Sequence, residues 1–128
     1  MVTAVTRKIR ISVETRYQPE FSEPQKQHFM HSYSIMIQNL SDESIQLLSR
    51  YWEINNAFGV ERIVEGEGVV GEQPIIEAGK MHIYSSACDM DTLMGTMKGF
   101  YTFQRMTDET EFTANIPLFV LEVPFLLS

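Results

Sequence analysis

Apolar residues recur at every second position through much of the chain. Ile9, Ile11 and Val13 alternate with Arg10, Ser12 and Glu14, and Phe29, His31, Tyr33, Ile35 and Ile37 alternate with Met30, Ser32, Ser34, Met36 and Gln38. A period of two collects one set of side chains on one face of an extended chain, whereas a helix would need apolar residues three and four apart. The alternation predicts strands half buried against a core. Methionines on the other face of the second strand predict cover on both sides near its end, before the turn "NLSDES".

A third strand is predicted from Ile45 to Ile54, followed by the turn "NNAFG", a short strand over residues 62–64, and a glycine-rich stretch. "QPIIEAGKMHIYSSA" then reads as strand, tight turn at Ala78-Gly79-Lys80, and strand. In "GTMKGFYTFQRM" Met97, Gly99, Tyr101 and Phe103 share a face, "TDETE" turns the chain, and residues 112–123 close the sheet. No window of ten residues prefers a helix, and only "CDMDTLMG" suits a single helical turn. The expected fold is all-β: one domain over residues 1–128, an immunoglobulin-like sandwich of about seven to nine strands with Trp52 buried in the third.

With 44% hydrophobic and 11% aromatic residues, 128 residues suffice for a real core. Seventeen acidic against ten basic residues leave a formal charge of -7, which opposes a nucleic-acid partner. Arg7, Lys8 and Arg10 crowd the first predicted strand, where charges keep an edge soluble. The single cysteine, Cys88, excludes an internal disulfide, and no charged-then-apolar leader opens the chain, which predicts a cytoplasmic protein. The longest apolar run, "IPLFVLEVPFLL", is broken by Pro117, Glu122 and Pro124 and falls short of the ~20 residues of a membrane helix. A soluble protein without membrane contact is expected.

The segments "LLSRYWEI", "VEGEGVVGEQPII", "GTMKGFYTF" and "IPLFVLEVP" resemble the ApaG family, in its order and at its spacing, from Ile9 to Pro124. The resemblance implies a fibronectin type III-like or immunoglobulin-like sandwich and a bacterial stand-alone protein. Similar eukaryotic domains occur within F-box proteins and a polymerase-interacting protein, where they contact other proteins. The family carries a genetic link to cobalt tolerance and magnesium efflux and a neighbourhood with a diadenosine tetraphosphate hydrolase, but no reaction of its own. One motif departs: where the family often has serine-glycine-cysteine-proline, this chain has Ser86-Ala87-Cys88-Asp89, which leaves the shape of that turn open.

Gly66-x-Gly68-x-x-Gly71 has the spacing of a loop that wraps nucleotide phosphates. A dinucleotide site needs a helix to begin at the third glycine, so that its positive end meets the pyrophosphate. Here Glu72, Gln73 and Pro74 follow, and the proline holds Gln73 extended, so no helix starts. No Lys-Ser or Lys-Thr pair supplies a P-loop, and Glu65, Glu67 and Glu72 would repel an anion. The glycines are expected instead to supply positive φ at a turn or bulge where the chain changes sheets. The alternative keeps a ligand: a divalent cation on the carboxylates would bridge to a pyrophosphate or nucleotide phosphate at residues 64–74.

His28 and His31, three apart on a strand, point to opposite faces and share no metal. A cluster of His82, Cys88, Asp89 and Asp91 would need folding to assemble it. Cys88, with no base nearby in sequence, reads as a structural cysteine. Arg50 shares a face with Leu48, Trp52 and Ile54, where a charge needs a partner: either a nearby glutamate, or an anionic group on a ligand that its planar fork would hold. A bulge at the adjacent leucines Leu47 and Leu48 would turn Arg50 to water. Phe125, Leu126 and Leu127 either cover an open end of the sandwich or meet another subunit in a homodimer, for which a strand-edge arrangement is plausible.

The sequence thus predicts a non-catalytic binding or interaction module without a cofactor, whose partner is a protein or a small anionic ligand. Its candidate ligand-binding residues are Arg50, Gly66, Glu67, Gly68, Gly71 and Glu72. The phosphate binder with a divalent cation is the alternative. A diphosphate hydrolase ranks last, since no nucleophile–base pair is recognisable.

Overall fold

A computed structural model describes residues 1–124. Nine strands follow one another: β1 (Val2–Thr6), β2 (Ile9–Tyr17), β3 (Phe29–Asn39), β4 (Ile45–Asn56), β5 (Glu61–Glu67), β6 (Ile75–Ile76), β7 (Met81–Met90), β8 (Met94–Arg105) and β9 (Glu111–Glu122). Two single 3-10 turns, Pro19–Phe21 and Pro24–Lys26, sit in the β2–β3 connection. One sheet runs β1-β2-β3-β7 and the other β5-β4-β8-β9, with β6 also on β4, and every pairing is antiparallel. This is an all-β sandwich of the immunoglobulin and fibronectin type III kind. No helix among the described residues is long and apolar enough to cross a membrane.

The period-two pattern of the sequence becomes the core. Ile9, Ile11 and Val13 of β2 meet Phe29, His31, Tyr33, Ile35 and Ile37 of β3 on the inner face of one sheet; Trp52, Met97, Tyr101 and Phe103 line the other, and all are buried. Trp52 presents an edge to Tyr33, Tyr101 and Phe119, with centroids 5.5, 6.4 and 5.8 Å away, the tilted geometry that aromatic quadrupoles favour.

Two bulges switch the inward parity within a strand. In β4 the register with β8 shifts between Leu47 and Ser49, so Ile45 and Leu47 point inward before it and Trp52 and Ile54 after it. Leu48 therefore does not share a face with Arg50, while Arg50 keeps the inward parity of Trp52 instead of turning to water. In β9 the switch falls at Pro117, between buried Ile116 and buried Phe119 and opposite the irregularity at Met97/Gly99. A proline without a donor suits that edge strand.

Five expectations differ from the structure. β1 was not predicted, because a five-residue strand with mostly exposed side chains carries little periodic signal. β5 runs over seven residues rather than three, and residues 91–93 form a bend rather than a helical turn. Ser86-Ala87-Cys88-Asp89 is continuous strand, paired with Met30–Tyr33 of β3. The chain changes sheets at residues 77–80, where Gly79 donates to the Asn39 carbonyl and Lys80 to that of Glu77, and not at the glycine-rich stretch, which keeps β5 and β6 on the same edge of β4.

Candidate functional site

The sandwich is closed along one side, where β1 and β2 pack on β9 and the Asn115 amide donates to Thr6 Oγ1. Along the other side the edge of β5 faces the edge of β7, and the seam between them holds a cleft of about 220 Å³. Its floor is Tyr33 and Trp52; β5 contributes Arg62 and Val64, β7 contributes Ser86 and Cys88, and Arg50 reaches in from β4. Register explains the set: Trp52 pairs with Val64, Ile54 with Arg62 and Arg50 with Gly66, so these alternate positions share the inner face.

Arg50 is held by main chain. Its Nη1 donates to the carbonyls of Glu67 at 3.0 Å and Gly68 at 2.9 Å, and the guanidinium lies over Gly66, where a Cβ would stand 3.2 Å from Nη1. The expected carboxylate pair is not formed: Glu67 contributes its backbone, and among the described residues Arg50 makes no ion pair. Glu65 and Glu67 alternate with Gly66 on β5 and point to the outer face, away from the guanidinium. Burial pushes the hydroxyl pKa of Tyr33, Tyr84 and Tyr101 up, and the positive charge of Arg50 works against that rise at each. Tyr84 and Tyr101 share a hydrogen bond through their hydroxyls.

Arg62 closes the other end of the cleft. Its Nη1 meets Asp89 Oδ1 at 3.2 Å, and Nη2 donates to the Asp89 carbonyl at 2.7 Å and to Cys88 Sγ at 3.4 Å. The arginine thus straps β5 to β7. Cys88 is buried, and desolvation raises its thiol pKa, an effect that the nearby Arg62 charge opposes. A protonated, buried thiol packs as a small apolar group.

The glycine stretch is a miniature hairpin. Val69 and Glu72 exchange both backbone hydrogen bonds, at 2.8 and 3.0 Å, around Val70 and Gly71, whose φ values of 50° and 77° follow the pattern of a type I′ turn. Gly68 has φ 65°, and its N–H donates to the Leu48 carbonyl, which also accepts from Gln73 Nε2. The hairpin therefore leans on the β4 bulge. The amides of Gly68, Val69 and Glu72 are all committed to backbone acceptors, and the positively charged donor beside the hairpin is the Arg50 side chain.

Among the described residues no three His, Cys, Asp or Glu side chains converge on a common point. His82 lies at the opposite end of β7 from Cys88, Asp89 pairs with Arg62, and Asp91 accepts from Asn56 Nδ2. His31 is inward and buried beside Tyr17, while His28 lies outside β3 in a bridge with Glu23. Residues 125–127 lie outside the described residues. Sequence reading missed Arg62, Tyr33 and Ser86; the alternation of Arg62, Val64 and Gly66 in β5 was the available signal, hidden because only three residues were assigned to that strand.

The model of the ApaG domain matches residues 19–105, which span β3 to β8 and every residue of the cleft. The chain belongs to the ApaG domain family. It is 46% identical to the ApaG protein of Afipia carboxidovorans over 97% of this chain and 95% of that one. The ApaG protein of Vibrio cholerae is 47% identical over 94% of each. Among solved structures, the structural-genomics target SoR45 superposes with a TM-score of 0.88 at 36% identity, over 96% of this chain and 92% of the other. A Bordetella pertussis protein described as an ApaA protein gives a TM-score of 0.87 at 34% identity, over 91% of this chain and 94% of its own. None of these four relatives is named for an enzymatic activity.

Proposed function

We propose that this ApaG domain is a non-catalytic binding module that receives an anionic group, a phosphate or a carboxylate of a small ligand or a partner protein, in the cleft between β5 and β7. The observation that carries the reading is Arg50: a half-buried guanidinium with no carboxylate partner among the described residues, pinned through Nη1 on two carbonyls and lining the cleft with its charge uncompensated. A planar guanidinium fixed in advance loses little freedom on meeting an oxyanion, which favours it over a lysine. Arg62 at the other end adds a second positive group, already partly neutralised by Asp89.

Turnover draws no support from the site, since the one thiol is buried and raised in pKa and no base is set beside it. A phosphate bridged by a divalent cation on Glu67 and Glu72 is the second reading; it draws less support, because Glu67 projects from the opposite face to Arg50. The family's link to cobalt tolerance and magnesium efflux would then operate through what the module binds rather than through a resident metal. Titration with pyrophosphate, followed by the fluorescence of Trp52 on the cleft floor, tests the proposal: a saturable change lost in Arg50→Met supports it, and no change at millimolar ligand overturns it.

A further inference from the structure

Four strands end the two sheets, β1 and β7 on one and β5 and β9 on the other. A free edge offers unpaired N–H and C=O groups to any approaching strand, and folded proteins blunt such edges with short length, charge, proline, bulges or cover. Three of these edges carry such devices. β1 has five residues and lies against β9. β5 carries Glu61, Arg62, Glu65 and Glu67. β9 carries Glu111, Pro117 and Glu122 together with its irregular pairing.

Among the described residues β7 carries none of them over residues 81–87. The stretch has no charge and no proline, and its pairing with β3 runs in unbroken register. Its outer face shows Met81 and Ile83, exposed at 54% and 57%, and then the small side chains of Ser85 and Ala87. Beyond Ala87 the edge is closed, because Arg62 occupies the Asp89 carbonyl and touches Cys88. The open stretch is therefore centred on Tyr84.

We infer that β7 pairs antiparallel with β7 of a second copy of this chain, about a two-fold axis at Tyr84, joining the two four-stranded sheets into one continuous sheet. That register sets Met81 opposite Ala87 of the second copy and Ile83 opposite Ser85, so a large side chain meets a small one at each outer position. The two-fold operation makes every such contact twice, as an isologous interface requires. The inner face of the added strand then flanks the mouth of the Arg50 cleft, although the pairing stands without any ligand there.

Sedimentation equilibrium of the full chain from micromolar to millimolar concentration tests the inference. The mass is expected to rise from 14.8 kDa towards twice that value, and Ile83→Lys and Ser85→Lys are expected to hold it at 14.8 kDa throughout. Both substitutions sit on an exposed face, and unchanged circular dichroism melts verify their folding. For the register, Ile83→Cys and Ser85→Cys proteins, each also carrying Cys88→Ala, are mixed with oxidised glutathione, and a disulfide-linked heterodimer is expected. A wild-type mass of 14.8 kDa up to millimolar concentration overturns the inference. So does a doubling that survives in both lysine variants, or a dimer that yields no mixed disulfide.

Discussion

The guanidinium of Arg50 rests on the bare Cα of Gly66, its cross-strand partner, and from there reaches the carbonyls of the two following glycine-stretch residues. One glycine thus clears the space and the next segment supplies the acceptors. Gly66→Ala sets two effects against each other: alanine is favoured over glycine in a strand by about 0.5–1 kcal/mol, while its methyl group displaces a pinned guanidinium. Stability is expected to change by less than about 1 kcal/mol in urea denaturation. Anion affinity should nevertheless fall, as the fork is moved.

Removing the arginine itself has a different signature. Arg50→Met leaves the Gly68 carbonyl in a partly buried position without its donor, which costs on the order of 1–3 kcal/mol. Arg50→Lys restores part of that stability but not the bound anion, because an ammonium cannot serve two carbonyls and a ligand in one plane. Chemical denaturation and pyrophosphate titration on the same two variants check both parts.

The glycines of the hairpin are not equivalent. A Cβ on Gly68 would stand 2.2 Å from the Glu72 carbonyl oxygen at φ 65°, whereas one on Gly71, at φ 77°, meets nothing within 4 Å. Gly71→Ala carries only the left-handed backbone cost of roughly 1–2 kcal/mol. Gly68→Ala adds a clash with main chain and is expected to cost clearly more. Melting temperatures of the pair give the ranking, and equal losses would refute the close approach of Gly68 to Glu72.

His31 makes stability depend on pH. Burial lowers its pKa below 6.5, so on acidification the unfolded chain takes up a proton before the folded one does. This contribution is fully present above pH 6.5, and it is lost as pH falls from there towards the folded value. The melting temperature should therefore drop between neutral pH and pH 5, and His31→Leu should flatten that part of the profile. A wild-type profile flat across this window would contradict it.

The strap across the seam is weaker than it looks. Arg62 and Asp89 are 47% and 54% exposed, so Arg62→Gln is expected to cost less than about 1 kcal/mol in urea denaturation. Its effect on anion binding should be the larger one.

The inner face of the sandwich was legible because period two survives in Ile9 to Val13, Phe29 to Ile37 and Met97 to Phe103, where every apolar side chain of the pattern is buried, although Ser12 on the other face of β2 is buried as well. Where a bulge breaks the period the sequence misleads: Leu48 looks like a core position and Leu47 takes its place. The glycine spacing announced a turn correctly, yet which edge it decorates depends on long-range pairing with β4. Arg50 drew notice as a charge on an apolar face, but its acceptors are carbonyls, and carbonyls carry no sequence signature. Arg62 was missed for a related reason: its partner Asp89 lies 27 residues away, and only the approach of the two sheet edges brings them together.

The proposed anion site is tested most directly by an NMR titration of labelled protein with pyrophosphate, first alone and then with magnesium, following the Nε–H of Arg50, the indole N–H of Trp52 and the amides of residues 64–74. A cleft site gives saturable shifts at Arg50 and Trp52 without magnesium, and these vanish in Arg50→Lys. Shifts confined to residues 67–72 and dependent on magnesium would contradict it and place the ligand on the glutamates, and silence at millimolar pyrophosphate would remove the phosphate site altogether.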